Sequence, residues 1–275
     1  MLKIDFRLPL SEEIELVPLG DVHIGSPQCD EASFKAAVDY ILEEPSNPKC
    51  ARVCLLNGDL TESVTRNSKG DIFDLTMTPS VQVATMINYL LPLTETSEKY
   101  PQGKIISYCA GNHDYGRYKD TGISAAESIA VKLGLEDRFS VDGCYTFLTC
   151  KRIGDKSNVA FTIYNTHLSG SAGTIGGKAN RVLRAGVNGG VLADVIIGSH
   201  VHEPLTFKED IIVPTPYKMS LHQKTVTYVI TSAHLRYGGY AQRGGMKPAT
   251  IAVPKVLFKQ GEKNGSRYAY TEVLL

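Results

Sequence analysis

The feature that most constrains this 275-residue chain is a series of five short polar stretches, each placed directly after an apolar run. They are Gly20-Asp21-Val22-His23, Gly58-Asp59, Gly111-Asn112-His113-Asp114, Thr166-His167 and Gly198-Ser199-His200-Val201-His202. The runs before them (14–19, 53–56, 104–109, 159–165 and 195–197) are short and apolar, so they read as strands and the polar residues fall at strand ends. Residues two apart in extended chain point to one face, which makes Asp21 with His23, and His200 with His202, paired ligand-type side chains. Taken singly, a Gly-Asp is ordinary turn chemistry and Asp21 could be a cap. Taken together, the stretches require a fold that brings five strand ends to one place.

In this order, the Asp-x-His, Gly-Asp, Gly-Asn-His-Asp, His and Gly-x-His-x-His series resembles the calcineurin-like metallophosphoesterases, from Asp21 to His202. The resemblance implies a four-layer α-β-β-α sandwich, two mixed β-sheets flanked by helices, with two divalent metal ions at the strand ends. Asp59 would bridge the ions; Asp21, His23 and His202 would complete one site, and Asn112, His167 and His200 the other. Histidine, carboxylate and amide ligands suit manganese first, with iron, zinc or nickel as alternatives, and do not suit calcium. The implied chemistry is hydrolysis of a phosphodiester, in a nucleic-acid end or a small or cyclic nucleotide, by attack of a metal-bridging hydroxide. His113 would be the general acid, with Asp114 orienting its imidazole and raising its pKa. A phosphomonoesterase and a non-catalytic, metal-stabilised scaffold are the alternatives.

Departures from relatives narrow the branch. The Gly58-Asp59-Leu60-Thr61-Glu62-Ser63 stretch lacks the further aspartate and Arg-Gly of protein serine/threonine phosphatases, and Asp114 stands where they carry glutamate. The pattern is closer to the repair-nuclease and phosphodiesterase branches. The residues after His202 read as core strands and not as a capping domain, so residues 1–275 are expected to form one domain. Tyr115 and Arg117 follow His113, and Tyr240 lies in a glycine-rich stretch; stacking and phosphate pairing make these three the candidate substrate-binding residues. For a monoester dianion, Arg66, Lys69 and Arg117 are the nearby cations.

Charge limits the partners. With 29 basic and 29 acidic residues the net charge is zero, which excludes broad electrostatic capture of nucleic acid or an acidic membrane. No apolar run is long enough to span a bilayer, and residues 1–6 lack the apolar core of a signal peptide, so a cytoplasmic protein with no membrane partner is expected. Six cysteines show no metal-type pair spacing and read as free thiols of a reducing compartment. Oligomeric state is not legible.

Along the chain, 3–10 reads as an edge strand, and Asp30 caps a helix whose Phe34, Ala37, Val38, Ile41 and Leu42 recur at helical spacing before Pro45. Residues 61–78 are polar and aperiodic, a candidate lid. Pro79 opens a helix with Val83, Met86, Ile87 and Leu90 inward, and Ser124 to Glu127 forms a capping box for a helix ending near Gly134. Two alternating strands follow Val141, the glycine-rich 169–190 carries Lys178, Arg181 and Arg184 on a short helix, and the remainder reads as strands of a second sheet. His222 and His234 are expected in strands. A β-α-β beginning followed by β-rich sequence implies two sheets packed face to face with helices outside.

Overall fold

The computed structural model describes residues 1–275 apart from 68–71, 244, 246 and 264–265, and gives only the backbone of Tyr240, Arg243, Lys263, Ser266 and Arg267. In chain order its elements are β1 (Leu2–Leu8), β2 (Glu13–Leu19), α1 (Glu31–Leu42), β3 (Cys50–Asn57), α2 (Pro79–Leu90), β4 (Ile105–Cys109), α3 (Asn112–Thr121), α4 (Ala125–Leu133), β5 (Phe139–Ser140) and β6 (Cys144–Lys151). They continue with β7 (Asn158–His167), α5 (Ile175–Ala185), β8 (Val195–Ser199), β9 (Leu205–Thr215), β10 (Ser220–Ile230), α6 (Gly239–Arg243), β11 (Lys255–Lys263) and β12 (Ser266–Leu274). The helix starts follow local chemistry. Asp30 accepts from the Ser33 amide, Ser124 from the Glu127 amide, and Pro79 opens α2 at a position that needs no donor.

The strands form two mixed six-stranded sheets, ordered β1-β6-β7-β8-β10-β9 and β12-β11-β2-β3-β4-β5. Three apolar clusters separate four layers. Phe6, Leu16, Val53, Ile163, Val229 and Phe258 fill the space between the sheets. Phe34, Ile41, Met86 and Ile129 of α1, α2 and α4 cover the outer face of the β2-β3-β4 sheet. Val182 of α5 packs with Ile196, Tyr228 and Ile230 on the outside of the other, a thinner layer than its counterpart. This is the four-layer sandwich expected.

Three readings of local structure change. The C-terminal strands are divided: β9 and β10 extend the sheet of β8, whereas β11 pairs antiparallel with β2 and carries β12, so the chain closes both sheets. The helix α3 begins directly at Asn112, where only a strand end was expected. His222 lies in β10 as expected, but His234 sits in the loop after it, buried, with its amide donating to the Asp21 carbonyl at 3.0 Å.

Parallel pairing decides where the polar stretches go. β2 with β3, β3 with β4, and β7 with β8 are parallel pairs, so their C-terminal ends emerge on one side of each sheet. Between the sheets, a satisfied polar ladder ties these ends together. Asn57 donates to the Thr166 carbonyl and to Ser199 Oγ, accepts from Asn165 and Cys109, and Asn165 accepts from Ser107. Every buried group in that ladder finds a partner, the condition under which polar groups in a core are tolerated.

Candidate metal centre

Beyond the last ladder bonds, the loops after β2 and β3 keep pairing: the amide of Asp21 donates to Gly58 O, and those of Val22 and His23 to Asp59 O, each at 3.0 Å. That continuation forces unusual backbone. Among the described residues seven non-glycine residues have positive φ, and five of them are Asp21, His23, Asp59, His200 and His202. Aspartate and histidine tolerate the left-handed region better than most residues, yet each still pays for it. Two glycines permit the close approach of neighbouring loops. A Cβ at Gly111 would lie 2.0 Å from Asp59 Oδ1, and one at Gly58, already at φ +83, would lie 2.7 Å from His167 Nδ1. The Gly in Gly-Asp and in Gly-Asn-His-Asp is therefore a spacing requirement.

The side chains gather into groups able to hold a metal ion. Asp21, His23 and His202 form one, and Asp59, His167 and His200 another. In the first, Asp21 Oδ1 is 3.6 Å from His202 Nε2 while Oδ2 accepts from the His200 amide at 2.7 Å. Asp21 Oδ1 and His23 Nε2 are buried with no hydrogen-bond partner. His23 Nδ1 lies 2.9 Å from Glu62 Oε2. An ionised carboxylate only accepts, so the proton is on Nδ1 and Nε2 presents a lone pair.

In the second group, His167 Nδ1 lies 2.9 Å from the Asn57 carbonyl and from Ser199 Oγ, which itself donates to that carbonyl. Nδ1 is thus the protonated nitrogen. His167 Nε2 faces Asp59 Oδ2 at 3.1 Å and Asn112 Oδ1 at 2.9 Å. With neutral imidazole these are three acceptors converging on one point, and the arrangement requires a cation there, a proton or a metal ion. The electrostatics agree. Burial opposes a charged imidazole, but the Asp59 carboxylate pushes the His167 pKa up to about 10. Burial would likewise raise Asp59, yet His167 holds that carboxyl far below its usual range. A mixed set of nitrogen and oxygen acceptors, two of them orphaned and all converging, fits divalent transition-metal ions.

His113 forms a third such group with His23 and Glu62. Its backbone amide donates to Asp59 Oδ1 at 2.9 Å, and its ring meets His23 edge-on with centroids 4.6 Å apart. Its Nδ1 donates to the Glu62 carbonyl at 2.6 Å, since a carbonyl oxygen can only accept. Nε2 therefore carries a proton only when the ring is an imidazolium. Burial disfavours that form, but the Asp59 and Glu62 carboxylates and the Glu62 carbonyl outweigh it and raise the pKa.

The expected partnership of Asp114 with His113 is not made. Asp114 Oδ2 accepts from the Gly111 amide at 3.0 Å and Oδ1 from the Ala126 amide at 3.1 Å, so the carboxylate caps α3 and pins it to α4. It is fully buried, and burial together with Asp59 raises its pKa to about 6. Its charge does raise the His113 pKa, behind Asp59 and Glu62.

Arg117 follows His113 by one helical turn and so shares its face of α3; its Nη1 is buried without a partner. Tyr115 is on the exposed side of the same helix, beneath Lys119. The side chain of Tyr240 lies outside the described residues, as does Lys69, while Arg66 is exposed on the loop after Asp59. The backbone before Tyr240 runs along the loop after His23, with the Arg236 amide donating to Gln28 O.

Two contributors escaped the sequence. Glu62 holds His23 by its carboxylate and His113 by its carbonyl, and its own amide donates to Ile24 O. A carboxylate three residues after Asp59 was the available signal. Asn57 holds His167 through its carbonyl and offered no signal beyond a polar residue closing an apolar strand.

The fold and site define an α/β sandwich with converging His/Asp clusters of metal-ligand type. No protein-family model matches the chain, and no curated protein matches it in sequence. Among solved structures it is similar to Vps29 chains. A single mutant of Vps29 from Entamoeba histolytica aligns with TM-score 0.38 and 9% identity over 95% of this chain and 99% of that one. Vacuolar protein sorting 29 from Cryptosporidium parvum aligns with TM-score 0.34 and 10% identity over 95% and 98%. The functional reading is carried by the site's own geometry.

Proposed function

We propose that this chain is a dinuclear metal-dependent phosphoesterase that hydrolyses a phosphodiester of a nucleotide or nucleic acid. The observation that carries the reading is the left-handed backbone at Asp21, His23, Asp59, His200 and His202, which aims these side chains into clusters of histidine nitrogens and carboxylate oxygens. Strain concentrated at one end of a fold is spent where positioning matters. Asp21, His23 and His202 would hold one ion, Asn112, His167 and His200 the other, and Asp59 would lie between them. Manganese is our first choice, with iron, zinc or nickel as alternatives. When bound, two divalent ions supply an activated water at neutral pH and neutralise charge developing on the phosphoryl oxygens.

The chain's own residues do the rest. His113, as imidazolium, donates its Nε2 proton to the leaving oxygen; the Glu62 carbonyl fixes the ring so that Nε2 is the nitrogen available. Arg117, one turn away, offers a guanidinium to a non-bridging phosphate oxygen, and Tyr115 offers a face for a base. The site draws on both sheets, so residues 1–275 act as one domain. Six free cysteines suit the cytoplasm, and among the described residues no helix is long and apolar enough to cross a membrane. A phosphomonoesterase is the second reading, favoured by the unpaired buried Nη1 of Arg117, because a dianionic phosphate wants one more fixed cation.

The test is a panel of bis-nitrophenyl phosphate, nitrophenyl phosphate, cyclic nucleotides and single-stranded DNA, with chelated and manganese-reloaded protein. Activity should be lost on chelation and return with manganese. His113→Ala should keep two ions per chain and lose roughly 10² to 10⁴ in rate on a nucleotide diester, and less on a nitrophenyl ester, whose leaving group needs little protonation. Full activity after exhaustive chelation would sink the proposal.

A further inference from the structure

The β9–β10 hairpin is longer than the sheet that supports it. The two strands pair from Leu205↔Ile230 out to Thr215↔Ser220, but β8 pairs with β10 only from Thr227 to Ile230. The base is well anchored: Phe207 stacks on Tyr228 with centroids 4.8 Å apart, and Lys208 donates to the Thr271 carbonyl. Beyond it the hairpin is an arm whose outer edge, β9, is the last strand of its sheet.

Register sorts the arm into two faces. Ile211, Lys224, Val213 and His222 share one; Ile211 packs on the outer cluster of the sheet, and Lys224 pairs with Asp194 at 2.8 Å. That face belongs to the body. Ile212, Pro214, Leu221 and Gln223 share the other, with Asp210 at its base, and the turn beyond the last pair carries Tyr217 and Met219 at the tip. Ile212 is 63% exposed, Leu221 73%, Met219 95%, and Tyr217 wholly so. Residues 211–223 contain one formal charge, Lys218, in a chain that is 21% charged. Met219 holds a left-handed conformation with φ 48, in a turn where glycine or asparagine would be easier, so the tip keeps an apolar side chain against its backbone preference.

A two-stranded hairpin is marginal in water unless its apolar face is covered. The four exposed side chains present roughly 600 Å² of apolar surface, so two such faces meeting would remove about 1,200 Å², the lower end of a specific interface. With a single lysine in the arm, a polyanion or an anionic lipid surface gains little there. Strand-to-strand extension is also opposed, because Lys208, Glu209, Asp210 and Pro214 interrupt the β9 edge. What remains is face-to-face packing of this apolar patch, flanked by Asp210 at its base and Lys218 at its tip, on an identical one through a two-fold axis.

We infer that the β9–β10 arm is the dimerisation element of this protein, its Ile212, Pro214, Leu221, Tyr217 and Met219 face packing on the same face of a second copy. Sedimentation equilibrium of the full chain from about 1 to about 100 µM tests it. The parent protein should be a dimer, and the Tyr217→Ser/Met219→Ser double variant should weaken self-association by at least about 100-fold while keeping its thermal midpoint at matched monomer content. Ile212→Lys, on the same face away from the tip, is an independent second variant should the double variant fold poorly. A parent that stays monomeric over the whole range overturns the inference, as does a pair of folded variants that dimerise like the parent. Flotation of a monomeric parent with neutral phosphatidylcholine vesicles would overturn it too, reassigning the arm to lipid.

Discussion

Holding a residue with a Cβ in left-handed backbone costs about 1–2 kcal/mol, and five proposed ligands are held there by backbone bonds between neighbouring loops. A centre so strained at its ligands depends on whatever fixes the imidazoles, and for His23 that is Glu62. Glu62→Ala should lower the affinity of one of the two proposed ions by about 10- to 100-fold and leave the other nearly unchanged, with Glu62→Gln recovering part because its amide oxygen accepts the same proton. Manganese titration of chelated protein reads this directly; parental binding of both ions by the alanine variant would show that the contact positions nothing. Asp59→Asn should instead weaken both ions together, and unchanged occupancy of either would exclude a bridging role. Asp21, His23, Asp59, Asn112, His113, His167, His200 and His202 could be marked from sequence because they fall where apolar runs end, and Asp21, Asp59 and Asn112 directly follow a glycine. Glu62 and Asn57 could not, since their value lies in contacts 39 and 110 residues distant.

At the scale of elements, α3 shows how a helix forms without a periodic apolar face. Its sequence, NHDYGRYKDT, buries only Asp114, contains Gly116, and has little intrinsic helical preference. Tertiary bonds make it: Asp114 caps the first turn through Gly111 and reaches the Ala126 amide at the start of α4, while Asp120 bonds Thr65 and Asn67 at the far end. α1, α2 and α4 were readable because caps and spacing agree with their burial. The split of β9–β10 and β11–β12 between sheets was not, because alternating strands carry no label for the sheet they join. Asp114→Ala should cost about 2–4 kcal/mol in urea unfolding by orphaning two buried amides, with metal content retained. An unchanged midpoint combined with a shifted acidic limb of the rate profile would return Asp114 to the role of orienting His113.

Across the whole molecule, the core takes in Cys54, Cys144 and Cys150 as small apolar residues, with Cys29 packed against it, and this couples the fold to alkaline pH. All six are free thiols. Burial pushes the pKa of Cys29, Cys54, Cys144 and Cys150 up to about 12 and that of Cys50 up to about 11, against an ordinary 9.0. The folded chain therefore binds these protons more tightly than the unfolded chain, and stability falls as pH rises above 9. At pH 10 each of the buried thiols Cys54, Cys144 and Cys150 costs about 1.4 kcal/mol of stability, and the half-buried Cys29 and Cys50 cost less because water screens them. The urea midpoint should therefore fall steadily between pH 8 and pH 10. Urea midpoints at pH 8, 9 and 10 measure the slope, and Cys54→Ala should flatten it by one proton even though it lowers stability at pH 8 by leaving a small cavity. Iodoacetamide at pH 8 should leave the buried thiols unmodified in the folded chain and label all six cysteines in urea. A stability that stays flat from pH 8 to 10 would mean that the thiols ionise equally in both states and that burial in the core does not hold their protons.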